Sequence, residues 1–237
     1  MCAWKKTGQN FAYSVLDPSI RFMIKIGVTP NMITGFGLML NILATVILIY
    51  GAEKGIRDNH VYVFWAGFII LLAGLMDMVD GRMARVGNLA SDYGALFDSV
   101  LDRYSELIMF LGICYYLVEN DYFLSSLFAF LAMVGSIMVS YTRARAEGLG
   151  VNASVGLMQR PERIITIGTA AGLCGIISSF LGGNFKIDVD WLPFPLFETI
   201  TIFTFPIFIV AILANHTAIK RLLYAKKEME NGRKSLS

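Results

Sequence analysis

The sequence predicts an all-α integral membrane protein of six transmembrane helices preceded by an amphipathic interfacial helix. Three observations predict it. Hydrophobic residues make up 56% of the 237 and charged residues only 16%, with a mean hydropathy of +0.60, a composition of the membrane class. Six stretches come close to the roughly 20 apolar residues that a helix needs to cross a bilayer core. Basic residues also crowd alternate connections between those stretches, as the enrichment of Lys and Arg in cytoplasmic loops requires.

Residues 1–28 read as a juxtamembrane amphipathic segment, because Phe11 to Ile26 interleaves apolar side chains with Arg21 and Lys25 around Pro18, a pattern suited to the bilayer interface. The six spans run approximately over Met32 to Tyr50, Val61 to Met83, Ala90 to Val118, Tyr122 to Ser140, Ile164 to Leu181 and Phe194 to Ala214. Lys5, Lys6, Arg21 and Lys25 precede the first, and Arg82, Arg85 and Arg103 surround the second connection. Arg143, Arg145, Arg160 and Arg163 surround the fourth, and Lys220, Arg221, Lys226 and Lys227 follow the sixth span. The opposite connections hold less positive charge. Six crossings with both termini cytoplasmic satisfy every loop, giving one membrane domain over 29–225 and a disordered cytoplasmic tail over 226–237.

Other partners and chemistries are disfavoured. The net charge is only +2, and no basic run is interleaved with aromatics, so nucleic acid is a poor partner and the lipid bilayer the better one. Cys2, Cys114 and Cys174 form no CxxC and lie far from any histidine, which gives no zinc or redox constellation.

The informative region is LMDMVDGRMARVGNLASDYGALFDSVLDR. Asp77 and Asp80 are three apart at the end of the second span; Asp98 and Asp102 are four apart near the start of the third. Both spacings place two carboxylates on one helical face. If the two helices pack as antiparallel neighbours, the pairs reach a common depth, where four like charges repel unless protons or cations intervene. Hard oxygen ligands suit Mg²⁺ or Mn²⁺, and two ions are the natural number. Gly81 and Gly94 leave room beside the acidic faces, and Arg85 offers a planar donor fork to a phosphate. Metals and arginine at a membrane point to phosphoryl or phosphatidyl transfer.

Asp77, Asp80, Gly81, Ala84, Arg85, Gly94, Asp98 and Asp102 match the signature D-x2-D-G-x2-A-R-x8-G-x3-D-x3-D, so the sequence resembles the CDP-alcohol phosphotransferases. The resemblance implies a six-helix bundle, usually a homodimer, with its site open to the cytoplasm and, in a prokaryote, set in the cytoplasmic membrane. It implies that Asp77, Asp80 and Asp98 hold two divalent ions with Asp102 close by, and that Asp102 is the general base. Gly81 and Arg85 are then expected to contact the cytidine diphosphate of a CDP-diacylglycerol donor, with Ser91 at a further nucleotide contact. The stretch TPNMIT looks like the family's first-helix nucleotide contact, which points to Asn31, Met32, Ile33 and Thr34. Direct in-line displacement of CMP by an acceptor hydroxyl follows.

For the acceptor, the pattern SYTRARAEG followed by RPER is similar to that of the prokaryotic phosphatidylinositol phosphate synthases. The resemblance implies inositol 1-phosphate, a polar phosphorylated alcohol, held by Arg143, Arg145, Arg160 and Arg163, since arginine forks match phosphate geometry. Glycerol 3-phosphate and free inositol are the alternatives within the same chemistry. A metal-ion transporter is the alternative from another class; it calls for acidic residues at mid-bilayer on several helices rather than near one end of two.

Overall fold

The computed structural model describes residues 16–187 and 197–234, with backbone alone for 232–234. A helix, α1, covers 16–25. The long helices follow as α2 (Pro30–Lys54), α3 (Val61–Val86), α4 (Asp92–Glu119), α5 (Phe123–Glu147), α6 (Arg160–Leu181) and α7 (Thr201–Lys234). Between α6 and α7 lies a minimal antiparallel hairpin, β1 (Lys186–Ile187) with β2 (Phe197–Glu198), Lys186 opposite Glu198. The residues before 16, and the expected start of the sixth span at Phe194, lie outside the described residues.

Local chemistry sets the helix starts. Thr29 is extended and caps α2, with Pro30 in the first turn, where its missing N–H costs nothing. The Ser91 hydroxyl accepts from the Gly94 N–H at 3.0 Å to start α4. Gln159 is extended and Pro161 sits in the first turn of α6, which ends at Gly182 with φ +85°.

Close approaches between helices are built on small residues. A Cβ on Gly67 of α3 would come within 2.8 Å of the Gly168 carbonyl oxygen and the Gly172 nitrogen of α6. A Cβ on Gly112 of α4 would come within 2.9 Å of the Thr45 Cα of α2, where the Thr45 hydroxyl donates to the Ile108 carbonyl at 2.6 Å. Small residues at crossings let backbones approach where lipid supplies no hydrophobic drive. The buried core runs through Ala44, Ile70, Phe110, Ile113, Ile167 and Phe203, while Phe68, Leu111, Phe130, Phe180 and Ile212 face outward, an apolar exterior that suits a lipid solvent.

Five of the six long helices are long and apolar enough to cross a membrane; α4 is the exception, because Asp98, Asp102, Arg103 and Glu106 charge its first half. The architecture is therefore that of an all-helical membrane protein.

Two expectations are corrected. First, α3 and α4 are not packed neighbours: α2 packs extensively against both, α3 also against α6, and α5 against α7. The glycine and threonine contacts above select those partners, and a cavity lies between the acidic faces of α3 and α4. Second, α7 does not stop near Ala225 but continues to Lys234. The segment from Lys226 holds good helix formers and no proline, and Lys226 approaches Glu230 one turn on at 3.8 Å, so the helix is not interrupted.

Beyond the spans, α1 is tied to the bundle. Ile20 is fully buried against Ile33, Val79 and Met83, and Arg82 donates to both Asp17 carboxylate oxygens at 2.8 Å. The Arg82 hydrogen bond holds the Asp17 carboxyl below the usual carboxylate range.

Candidate active site

The cleft between α3 and α4 collects the aspartates. Asp80 is buried and accepts from the Thr34 hydroxyl of α2 at 2.7 Å. Asp77 and Asp102 face each other through one group: the Arg160 Nη1, at the first turn of α6, lies 2.6 Å from Asp77 Oδ2 and 2.7 Å from Asp102 Oδ1. Asp98 lies at the junction of three cavities.

The largest of these, about 550 Å³, runs between α3, α4 and α6. Its apolar lining comes from Leu71, Leu75, Met78, Ile164 and Ile165, and its polar lining from Asp77, Arg85, Asp98, Asp102 and Arg160 beside Gly81. A second, about 520 Å³, lies between α4, α5, α6 and α7 and is lined by Arg103, Arg143, Arg160, Arg163 and Arg221 with Asp98 and Asp102. A third, about 210 Å³, is walled by Asn31, Thr34, Asp80, Gly81, Ser91 and Gly94.

The residues singled out in the sequence divide between these places. Asn31 and Thr34 face the smallest cavity, but the Met32 side chain is exposed at 59% and Ile33 is buried in the α1 contact. A helix turns about 100° per residue, so only the first and fourth of four consecutive residues share a face. Gly81 is open on its Cβ side and borders two cavities; Ser91 borders the smallest while capping α4.

Among the expected acceptor arginines, Arg143 and Arg160 line the second cavity, with Arg143 also donating to Glu147 at 2.8 Å. Arg145 is exposed and lines neither large cavity, because two helical residues put it on the other side of α5 from Arg143. Arg163 touches the cavity wall but is fully buried. Its Nε and Nη2 bond both Glu106 oxygens at 2.7 and 2.9 Å, and its Nη1 bonds the Met158 carbonyl at 3.1 Å. With its donors so committed, it has a structural position rather than a free fork.

Sequence reasoning missed Glu106, Arg103 and Arg221. The last donates to the Val155 and Val139 carbonyls at 2.7 Å and closes the wall of the second cavity. Their signal was present: Glu106 lies one turn beyond Asp102, and charges inside a span demand a partner.

A cation fits this cleft on the testimony of the arginine itself, whose positive nitrogen is held by two carboxylates from different helices. Among the described residues no three acidic, imidazole or thiol side chains converge as they stand on one ion position. Metal binding there would require the carboxylates to reorient.

Comparison with known proteins places the chain. The sequence family described as CDP-alcohol phosphatidyltransferase matches residues 27–219. A phosphatidylinositol phosphate synthase of Mycobacteroides abscessus is 32% identical over 184 residues, 77% of this chain and 74% of that one. An archaetidylinositol phosphate synthase of Pyrococcus horikoshii is 31% identical over 212 residues, 89% of this chain and 90% of its own. The crystal structure of a Mycobacterium tuberculosis phosphatidylinositol phosphate synthase with CDP-DAG bound superposes with a TM-score of 0.68 at 24% identity, covering 88% of this chain and 92% of that one, a likeness of fold. The chain thus belongs to the CDP-alcohol phosphatidyltransferase family, an enzyme family of the membrane.

Proposed function

We propose that this enzyme transfers the phosphatidyl group of CDP-diacylglycerol to a hydroxyl of inositol 1-phosphate and releases CMP, with Asp77, Asp80, Asp98 and Asp102 holding two divalent cations, Mg²⁺ or Mn²⁺. One observation carries the reading. Asp98 and Asp102 line both the cavity with the apolar lining and the arginine-lined one, so a lipid donor and an anionic acceptor can meet at the same carboxylates. The two relatives named for inositol phosphate products support the acceptor, and a related structure holding manganese supports the ion class.

The chain's own residues divide the work. Asn31, Thr34, Ser91 and the open side of Gly81 take the cytidine diphosphate, with Arg85 in the polar lining of the lipid cavity. The apolar lining of that cavity accepts the acyl chains. Arg143 and Arg160 hold the acceptor phosphate, and Arg163 keeps α6 against α4 so that both cavities keep their shape. Asp102 takes the proton of the acceptor hydroxyl; the hydroxyl oxygen bonds the β-phosphorus in line as the bond to CMP breaks. When bound, the ions stabilise the developing charge on the phosphates. No covalent enzyme intermediate is needed.

The same reading makes α4 the sixth crossing, its charged half facing the site. It sets both termini and the active site on the cytoplasmic side, where Arg82, Arg85, Arg103 and Arg221 gather, and pairs two chains as a homodimer. Purified enzyme given CDP-diacylglycerol and Mg²⁺ or Mn²⁺ should release CMP with inositol 1-phosphate and far less with glycerol 3-phosphate or free inositol. Preference for glycerol 3-phosphate would overturn the acceptor, and turnover unaffected by a chelator would overturn the ions.

A further inference from the structure

Arg160 is placed to do more than meet an acceptor. Its Nη1 stands between Asp77 of α3 and Asp102 of α4, two of the carboxylates proposed to hold the ions. The guanidinium is not saturated there: its Nε is buried without a hydrogen-bond partner, unlike Arg163, three residues on, with Nε, Nη1 and Nη2 all bonded. Arg160 borders both large cavities and begins α6 just after the irregular segment 151–159. Its guanidinium thus touches the carboxylates while its side chain lines the arginine-lined cavity as well.

We propose that Arg160 is a cation-displaced latch. It holds Asp77 and Asp102 together by its own charge, and a divalent ion that takes Asp77 Oδ2 and Asp102 Oδ1 expels it, because two cations cannot occupy the same two oxygens. The expelled guanidinium then points into the second cavity, its Nη1 released and its Nε still without a partner, so that an anion can be met there. Metal loading and acceptor binding are thereby coupled through one side chain, and by reciprocity an acceptor phosphate that captures Arg160 tightens the metal site. An order follows: ions first, acceptor anion second. This inference rests on the proposed metal role of the aspartates.

The test uses full-length protein in detergent, with Mn²⁺ titrated by electron paramagnetic resonance and inositol 1-phosphate binding measured by calorimetry. Wild type, Arg160→Ala, Arg160→Lys and Asp98→Asn are compared. Removal of the competing charge should tighten Mn²⁺ binding in Arg160→Ala by about 5- to 150-fold, the usual span of coupling between two sites, with Arg160→Lys closer to wild type. In wild type Mn²⁺ should raise the affinity for inositol 1-phosphate; in Arg160→Ala that dependence should vanish. Equal or weaker Mn²⁺ binding in both Arg160 variants, with wild type still binding Mn²⁺ and Asp98→Asn losing it, would overturn the latch and leave the metal reading intact. No Mn²⁺ binding to wild type would overturn both.

Discussion

Two arginines on the first turn of α6 face carboxylates of α4, and they are not alike. Arg163 is fully buried, and its bidentate bond to Glu106 and third bond to Met158 engage all three of its nitrogens. Arg160 is about one-fifth exposed, shares one nitrogen between Asp77 and Asp102, and leaves its Nε unmatched. Identical chemistry thus gives a rivet in one place and a movable counter-charge in the other. Hydrogen-bond saturation and burial make the difference, and neither is a property of the residue type.

The sharpest way to break that comparison is to remove the rivet. Arg163→Ala leaves Glu106 buried and uncompensated, which costs about 3–5 kcal/mol, so a large fall in the thermal midpoint in detergent is expected. Arg163→Met combined with Glu106→Leu should recover most of it, since well-packed apolar replacements of a buried pair are often neutral. Arg160→Ala in saturating Mg²⁺ should lower the midpoint far less, because the ions then compensate the two carboxylates that the guanidinium held. A loss as large as that of Arg163→Ala would erase the distinction.

Next in size is the carboxylate that Arg160 touches. Asp102→Asn removes the proposed base while leaving three carboxylates, and turnover should fall about 10²- to 10³-fold, or roughly 3–4 kcal/mol of barrier. Binding of the CDP-lipid should persist, as followed by protection against heat. Near-normal CMP release would move the base elsewhere.

How much of this was readable beforehand follows from what each signal depends on. The long helices and the acidic register are local, set by hydropathy, spacing and caps such as Thr29 and Ser91, and these were legible. Which helices touch is not local. The Gly67 and Gly112 approaches, which pair α3 with α6 and α4 with α2, look in sequence like ordinary glycines in apolar runs, so α3 and α4 were expected to pack together. The roles of Arg160 and Arg163 depend on Glu106, one more acidic residue in a span until a partner from α6 is in view. Helical phase puts Asn31 and Thr34, and Arg143 without Arg145, on the cavity side of their helices, and that could have been applied from the start.

A smaller effect sharpens the contrast within the second cavity. Arg143 pairs with the exposed Glu147 on its own helix, so it resembles Arg160 in availability rather than Arg163. Arg143→Ala should raise the KM for inositol 1-phosphate about tenfold, close to 1.4 kcal/mol, with the KM for CDP-diacylglycerol nearly unchanged. Equal changes in both constants would take Arg143 out of acceptor binding.

The smallest expected effect concerns a third arginine–carboxylate pair, Arg82 with Asp17, at the outer edge of the bundle. It is bidentate like the Arg163 pair, yet its members keep about a quarter of their side-chain surface, so it tests whether geometry or burial makes a rivet. Because the Arg82 hydrogen bond lowers the Asp17 carboxyl in the folded chain, the pair's contribution is present above the ordinary carboxylate range and is lost as pH falls through the lowered value. Arg82→Gln should therefore lower the thermal midpoint slightly at neutral pH, and the difference from wild type should close under acid. If burial is what counts, that difference stays well below the one produced by Arg163→Ala at every pH. A difference of equal size would mean that two parallel hydrogen bonds are enough, and that Arg160 is mobile because it shares a single nitrogen rather than because water reaches it.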